Sequence, residues 1–327
     1  MGSRFYGALC AHAARSYESD SRVRALLDRH VHRSRVALRF LGAAHFRALR
    51  GCAPAVAAHF PSSGGDGDAA GAWEAIREDV LANEAAYGDL LARPVQTNEV
   101  ARAMPILAAM LAVADETKLP LRVFEIGSSA GLLLNFDLYR YGGSQWVWGD
   151  PFSALHLRNR AAGGRPQHLN AELSVAERRG CDLHPLNVRN PADADTLLSF
   201  VWPDQQERLE RLQAAIGIAR QHPVTVDPAD GVEWIVRVAR PKPHYATVAM
   251  HTVITEHMPP QTREELRAEM RDLGRAATAD APFAWVRMEV GTHAYETTVT
   301  IWPDERIRII ARSDGHAQDL EWNVRTQ

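Results

Sequence analysis

The stretch Leu121 to Tyr141, LRVFEIGSSAGLLLNFDLYRY, restricts the possible folds of this chain most. Val123-Phe124-Glu125-Ile126 is an apolar run too short for a helix and reads as a buried strand. Gly127-Ser128-Ser129-Ala130-Gly131 turns the chain, and Leu132 to Phe136 leaves as an apolar, helix-compatible run. Strand, glycine turn and helix in that order bring backbone N–H groups and a helix N-terminus towards a ligand.

Strands and helices alternate from there on. Gln145-Trp146-Val147-Trp148-Gly149-Asp150 reads as a short strand ending in an acid. Residues 151–222 hold candidate short strands near Leu155–Leu157 and Cys181–Val188, then helical stretches at Ala192–Phe200 and Asp204–Gln221. Pro223–Asp227 resumes strand character, Gly231–Val238 reads as a helix, and Tyr245–His251 as a buried strand. Thr262–Arg275 is an amphipathic helix and Phe283–Glu289 the next strand. Tyr295–Trp302 and Arg306–Arg312 alternate as strands, and Pro303-Asp304-Glu305 joins them into an antiparallel hairpin. This order predicts an α/β fold with a parallel sheet covered on both faces. Residues 1–118 are helical in pattern, with no strand before Leu121, so they form a helical N-terminal cap region. Thr97 or Asn98 is placed to cap the apolar run Ala101–Val113. The α/β core is 119–327, with an insertion at about 151–222.

Composition narrows the class. A net charge of −3 gives no reason to expect strong attraction to nucleic acid or membranes. No segment approaches the run of about 18 apolar residues that a membrane span needs. The N-terminus lacks a basic start followed by a long apolar core, so no signal peptide is expected and the predicted location is cytoplasmic. Cys10, Cys52 and Cys181 are widely spaced and read as free thiols.

Glu125-Ile126-Gly127-Ser128-Ser129-Ala130-Gly131 resembles the first motif of Rossmann-like S-adenosylmethionine (SAM)-dependent methyltransferases, a strand ending in acid-x-Gly-x-x-x-Gly. The resemblance covers roughly residues 119–312 and implies a methyltransferase-type sheet whose last strands include an antiparallel one. It implies SAM as cofactor, with Glu125 near the amino group of the ligand and the Gly127-Ser128 backbone and Gly131 passing close to it. It also implies an acid at the end of the next strand that grips the ribose hydroxyls. Asp150, about 20 residues after Gly131, is the expected residue. Asp230, preferred over Asp227, is expected near the adenine amino group. The whole chain also resembles an uncharacterised bacterial family of unknown function, through Gln96–Glu99, the GSSAG unit, Cys181–Leu186 and Val201–Asp204.

Methyl transfer is an in-line displacement that needs a positioned nucleophile and, for an O–H or N–H acceptor, sometimes a base. His251, at the end of its strand, is the first candidate base and Glu256 in the following loop the second. A structural histidine competes for His251, and a solvated loop residue for Glu256 and His257. The spacing of His251, Glu256 and His257 matches no strong metal-ligand pattern, so no metal is expected. The loop lacks the Asn/Asp-Pro-Pro-aromatic signature of amino-directed nucleic-acid methyltransferases, so the predicted partner is a small-molecule acceptor.

Three other readings share the glycine turn. GSSAG satisfies G-x-S-x-G, which makes Ser129 a hydrolase nucleophile with Asp227 or Asp230 and His251, His257, His293 or His316 as partners. The absence of predicted strands before Leu121 and of an HGGG-type loop opposes it. A dinucleotide fingerprint requires glycine where Ser129 stands. A Rossmann-like module without catalysis is the last alternative.

Overall fold

Local caps fix the helices of the N-terminal third. Side chains of Ser3, Asp20 and Asp68 accept backbone N–H groups of Tyr6, Val23 and Ala70. They begin α1 (Arg4–Ser16), α2 (Ser21–Asp28) and, after α3 (Val36–Leu49) and α4 (Pro54–Ala57), α5 (Ala69–Ala82). α6 (Glu84–Ala92) follows. The computed structural model describes residues 2–160 and 164–322. They divide into two compact units, one of 1–97 with 186–213, the other of 98–185 with 214–327. The sequence reading placed a boundary at residue 118 and treated 151–222 as one insertion. The helical unit buries Leu9, Leu26, Phe40, Phe60, Trp73 and Tyr87 in one apolar core. Within it Arg47 pairs with Asp79 at 2.6 Å, and the Tyr87 hydroxyl donates to the same carboxylate.

The second unit opens with a 3₁₀ turn, Val100–Arg102, capped by Glu99, whose side chain accepts from Ala101 N–H. Thr97 and Asn98 do not cap here; Asn98 donates through Nδ2 to the Ser128 carbonyl. α7 (Ala103–Thr117) is buried at every residue from Ala103 to Ala114, as expected of a helix apolar all round. β1 (Leu121–Ile126) follows.

After the glycine turn the chain forms a short 3₁₀ segment, Leu132–Leu138, kinked at Asn135, where an apolar helix was expected. The reason lies in side chains that take its carbonyls. Arg178 donates to the Leu134 carbonyl, Tyr139 to that of Leu132 and Tyr141 to that of Phe136. A helical ladder would need those acceptors.

β2 (Arg140–Gly142), β3 (Val147–Trp148) and β4 (His156–Arg158) form a separate three-stranded sheet in the order β3-β2-β4. The expected second core strand is therefore not Gln145–Asp150. β5 (Val175–Asp182) takes that place and pairs in parallel with β1. The chain then contributes α8 (Pro191–Ser199) to the helical unit and continues through α9 (Gln206–Gln221).

β6 (Thr225–Pro228), α10 (Gly231–Val238), β7 (Ala246–Thr252), α11 (Pro260–Arg275) and β8 (Phe283–Val290) follow, then β9 (Tyr295–Trp302), β10 (Arg306–Ser313) and β11 (Glu321–Trp322). The main sheet is mixed and eight-stranded, in the order β11-β10-β9-β8-β7-β1-β5-β6. β6, β5, β1, β7 and β8 are parallel, and β9, β10 and β11 add antiparallel at one edge. β8 and β9 are themselves a hairpin, and no strand is inserted between them.

Strand alternation assigns the two faces. Phe124, Ile126, Ala249, Phe283 and Trp285 pack with Trp234 of α10 and with Leu266, Met270 and Leu273 of α11. Val123, Glu125 and Met250 point to the opposite face, where α7 lies against β7, β8 and β9. No helix of the described residues is long and apolar enough to cross a membrane.

Candidate functional site

The carboxyl ends of β1, β5 and β7 carry the candidate site. Gly127, Ser129 and Gly131 all have positive φ, of 69°, 54° and 71°. Gly127 and Gly131 suit that backbone; Ser129 holds it at a cost of the order of 1–2 kcal/mol. The chain itself fills the space beside both glycines. A Cβ on Gly127 would lie 2.7 Å from Cγ2 of Ile254, and one on Gly131 2.5 Å from Cγ2 of Val224. Ser128 donates its hydroxyl to the Cys181 carbonyl, locking the turn to the end of β5.

Asp182 ends β5 directly beside that turn. Its Oδ2 accepts from Ser129 N–H and its Oδ1 from His184 N–H, both at 2.9 Å. An ionised carboxylate has four lone-pair positions, so two remain for a ligand. This is the place that the sequence reading gave to Asp150. Asp150 instead lies beyond the small sheet, exposed, with Oδ1 accepting from Phe152 N–H. β5 escaped the sequence reading because Glu177, Arg178 and Arg179 break its apolar character. In the fold each is paired, with Arg122, Asp137 and Asp227 respectively. The usable signal is the run Asp182-Leu183-His184-Pro185, an acid just ahead of a turn-forming His-Pro.

Glu125 lies under the turn on the α7 face and is only 2% exposed. Its Oε2 has no hydrogen-bond partner among the described residues. Burial first, and the charge of Asp182 second, push its carboxyl up to about 8, against a smaller opposing pull from Arg102. Glu125 is therefore a neutral acid at pH 7 in the free protein, and a cation brought beside it would ionise it.

Asp230 caps α10, its Oδ1 accepting from Val232 and Glu233 N–H. Asp227 is occupied by Trp234 Nε1 at 2.6 Å and by Arg179 at 2.7 Å. Burial raises the Asp227 carboxyl, but these donors outweigh it and hold the acid below its ordinary range.

His251 pairs with Ile126 on the α11 face, opposite to Glu125. It is fully buried, and its Nδ1 lies 2.7 Å from Oε1 of Glu289 on β8. Glu289 also receives Ile254 N–H, Thr255 N–H and the Thr255 hydroxyl. Burial raises this carboxyl, but His251 and the loop donors prevail and keep it low and ionised. When the ring is neutral, an ionised Glu289 holds its proton on Nδ1 and leaves the lone pair on Nε2. That Nε2 has no hydrogen-bond partner among the described residues. His251 is among the residues around a cavity of about 250 Å³ bounded by α11 and by β7, β8 and β9. Sequence reasoning named His251 but did not pair it with Glu289, because the two are 38 residues apart.

The loop after β7 starts on Val253, a β-branched residue at φ 55°, an uncommon backbone that strand ends near functional sites often hold. Glu256 and His257 stand exposed on the next 3₁₀ turn, 3.3 Å apart. Neither lines the cavity.

Fold and site define an α/β protein with a mixed sheet, a buried acid under a glycine turn and a histidine–glutamate pair beside a cavity. The chain belongs to the family described as an uncharacterised protein conserved in bacteria (DUF2332), which matches residues 1–322. Comparison with curated proteins finds no match.

Proposed function

We propose that this protein binds S-adenosylmethionine at the carboxyl ends of β1 and β5 and transfers its methyl group to a small acceptor. The observation that carries the reading is Glu125, buried, with one carboxyl oxygen unpartnered among the described residues. A ligand bearing an ammonium or sulfonium group supplies the positive charge that this acid lacks. The pyrophosphate of a dinucleotide supplies the wrong sign. Asp182 takes the diol-binding role in place of Asp150, and Asp230 stands at the start of α10 for the adenine amino group.

The backbone from Gly127 to Gly131 borders the ligand, and the packing of Ile254 and Val224 against the two glycines holds the turn in shape. His251 is the base in this reading, held in one tautomer by Glu289. Glu256, exposed in the following loop and outside the cavity, stays the second candidate. A folded Asp182→Asn variant should bind SAM at least about tenfold more weakly, the loss of a charge-assisted hydrogen bond. Unchanged affinity removes Asp182 from the site.

A second reading, a serine hydrolase, draws on the φ of 54° at Ser129, a strained turn of the kind that exposes a nucleophile. Against it, Ser129 is 5% exposed and its N–H is tied to Asp182. Labelling of the wild type but not of Ser129→Ala by a fluorophosphonate selects this reading.

A further inference from the structure

The cavity below His251 has a composition that methyl-donor binding does not explain. Three arginines line it: Arg263 and Arg267 from α11, and Arg287 from β8. Two carboxylates line it as well, but both are engaged elsewhere. Glu289 holds His251 and the loop after β7, and Glu296 accepts from Arg312 at 2.9 Å. Arg267 pairs with Glu264 at the exposed rim. Arg263 and Arg287 make no guanidinium hydrogen bond or ion pair with any described residue. Arg287 rests over the Trp285 ring, 4.2 Å from its centroid.

Four residues of this wall each carry a buried polar side-chain atom with no hydrogen-bond partner among the described residues: Arg263 Nε, Trp285 Nε1, Thr298 Oγ1 and His251 Nε2. All four residues border the cavity. Trp285, Thr298 and His251 are 6%, 8% and 0% exposed, so the protein surface does not hydrate them freely. A buried donor without a partner costs on the order of 1–3 kcal/mol, and native interiors leave few of them. Four such residues around one space fit a polar occupant.

The donors outnumber the acceptors, and the sign of the wall is positive. Guanidinium forks match planar carboxylates. The exception among the four atoms is His251 Nε2, which accepts when the ring is neutral. The complementary ligand therefore has an anionic end and, near it, a hydrogen to donate.

We infer that this cavity binds a small carboxylate carrying a hydroxyl or amine, with the carboxylate on Arg263 and Arg287 and the O–H or N–H on His251 Nε2. As a binding site this stands apart from methyl transfer; as the acceptor site of that reaction it rests on the function proposed above. In that role, His251 takes the acceptor proton as the acceptor oxygen or nitrogen forms its bond to the methyl carbon. The carbon–sulfur bond breaks with its electron pair remaining on the thioether.

The test is binding in the absence of any adenosyl ligand, so its failure is separate from failure of SAM binding. Salicylate, anthranilate, glycolate and lactate are titrated calorimetrically into the full chain, with salicylamide, benzoate and inorganic phosphate as comparisons. At least one of the four hydroxy- or amino-acids should saturate the protein below about 10 mM, and salicylamide should not. Arg287→Met, which removes an unpaired charge and should fold, weakens that binding about tenfold or more. His251→Gln weakens salicylate more than benzoate, which has no hydroxyl.

No binding by any of the four up to about 10 mM overturns the inference. So does equal binding of salicylamide, or of phosphate alone. Unchanged affinity in an Arg287→Met protein that melts like wild type overturns the placement of the carboxylate.

Discussion

Replacing Glu125 by glutamine tests the buried acid directly. In the folded protein burial pushes this carboxyl up to about 8, against 4.5 in the unfolded chain. Between those values the unfolded chain has lost the proton and the folded chain keeps it. The unfolded state then binds fewer protons, so stability falls as pH rises, at about 1.4 kcal/mol per pH unit. The loss begins above the unfolded value and is complete at the folded one, about 5 kcal/mol in all as an upper bound. Glutamine has nearly the same shape, carries no charge at any pH and keeps an acceptor and a donor. Glu125→Gln should therefore match wild type near pH 4.5 and become progressively more stable than wild type towards pH 8. Urea denaturation at intervals of one pH unit, followed by hydrogen exchange of the β1 amides, measures the difference in the unit that contains residue 125. Parallel stability curves for the two proteins between pH 5 and 8 refute the reasoning, because they mean that Glu125 ionises as freely in the fold as outside it.

Further outcomes follow from other residues. Asp150→Ala should leave adenosyl-ligand affinity and melting temperature unchanged, since Asp150 is exposed and caps only a local turn; a tenfold loss restores it to the site. Gly131→Ala places a Cβ 2.5 Å from Val224 at φ 71° and should cost about 2–4 kcal/mol in urea denaturation, strain and overpacking together; a neutral substitution contradicts the packing. His45 in the helical unit is buried neutral, pushed down to about 4 by desolvation against hydrogen bonds that the ring donates to the backbone carbonyls of Ser199 and Val201. Its unfolded value is 6.5, so stability is present above that pH and is lost on acidification towards 4; a His45→Gln variant should lose less stability than wild type over that window, and equal loss refutes the assignment. His251→Ala strips Glu289 of its histidine in a buried setting and should destabilise by about 2–4 kcal/mol, whereas His251→Gln should cost less.

Much of the α/β unit was legible because its signals are local. Tyr245–His251 and Phe283–Glu289 are apolar runs, Thr262–Arg275 is amphipathic, and all three form the predicted elements. The terminal hairpin announced itself through alternation on either side of Pro303. The second core strand did not, because a buried strand containing Glu177, Arg178 and Arg179 is stable only through partners that lie far off in sequence. The apolar Trp146–Trp148 run looked more like a core strand and drew the diol-binding role to Asp150. The helix after Gly131 failed for a related reason: tyrosines and an arginine from elsewhere take carbonyls that propensity assigns to the ladder. Of the site, Glu125 and His251 could be named from their positions. Their lying on opposite faces of the sheet, the partnership of His251 with Glu289 and the arginines around the cavity are products of register and packing.

Calorimetric titration of the full chain with SAM and S-adenosylhomocysteine, with NAD as control, tests the central claim most directly. Repeating it in two buffers of different ionisation enthalpy counts the protons released. Saturable binding of the adenosyl ligands near pH 7 is predicted, with SAM releasing a proton from Glu125 and NAD giving no binding. No saturation by either adenosyl ligand up to about 1 mM, or binding of NAD with equal affinity, contradicts it.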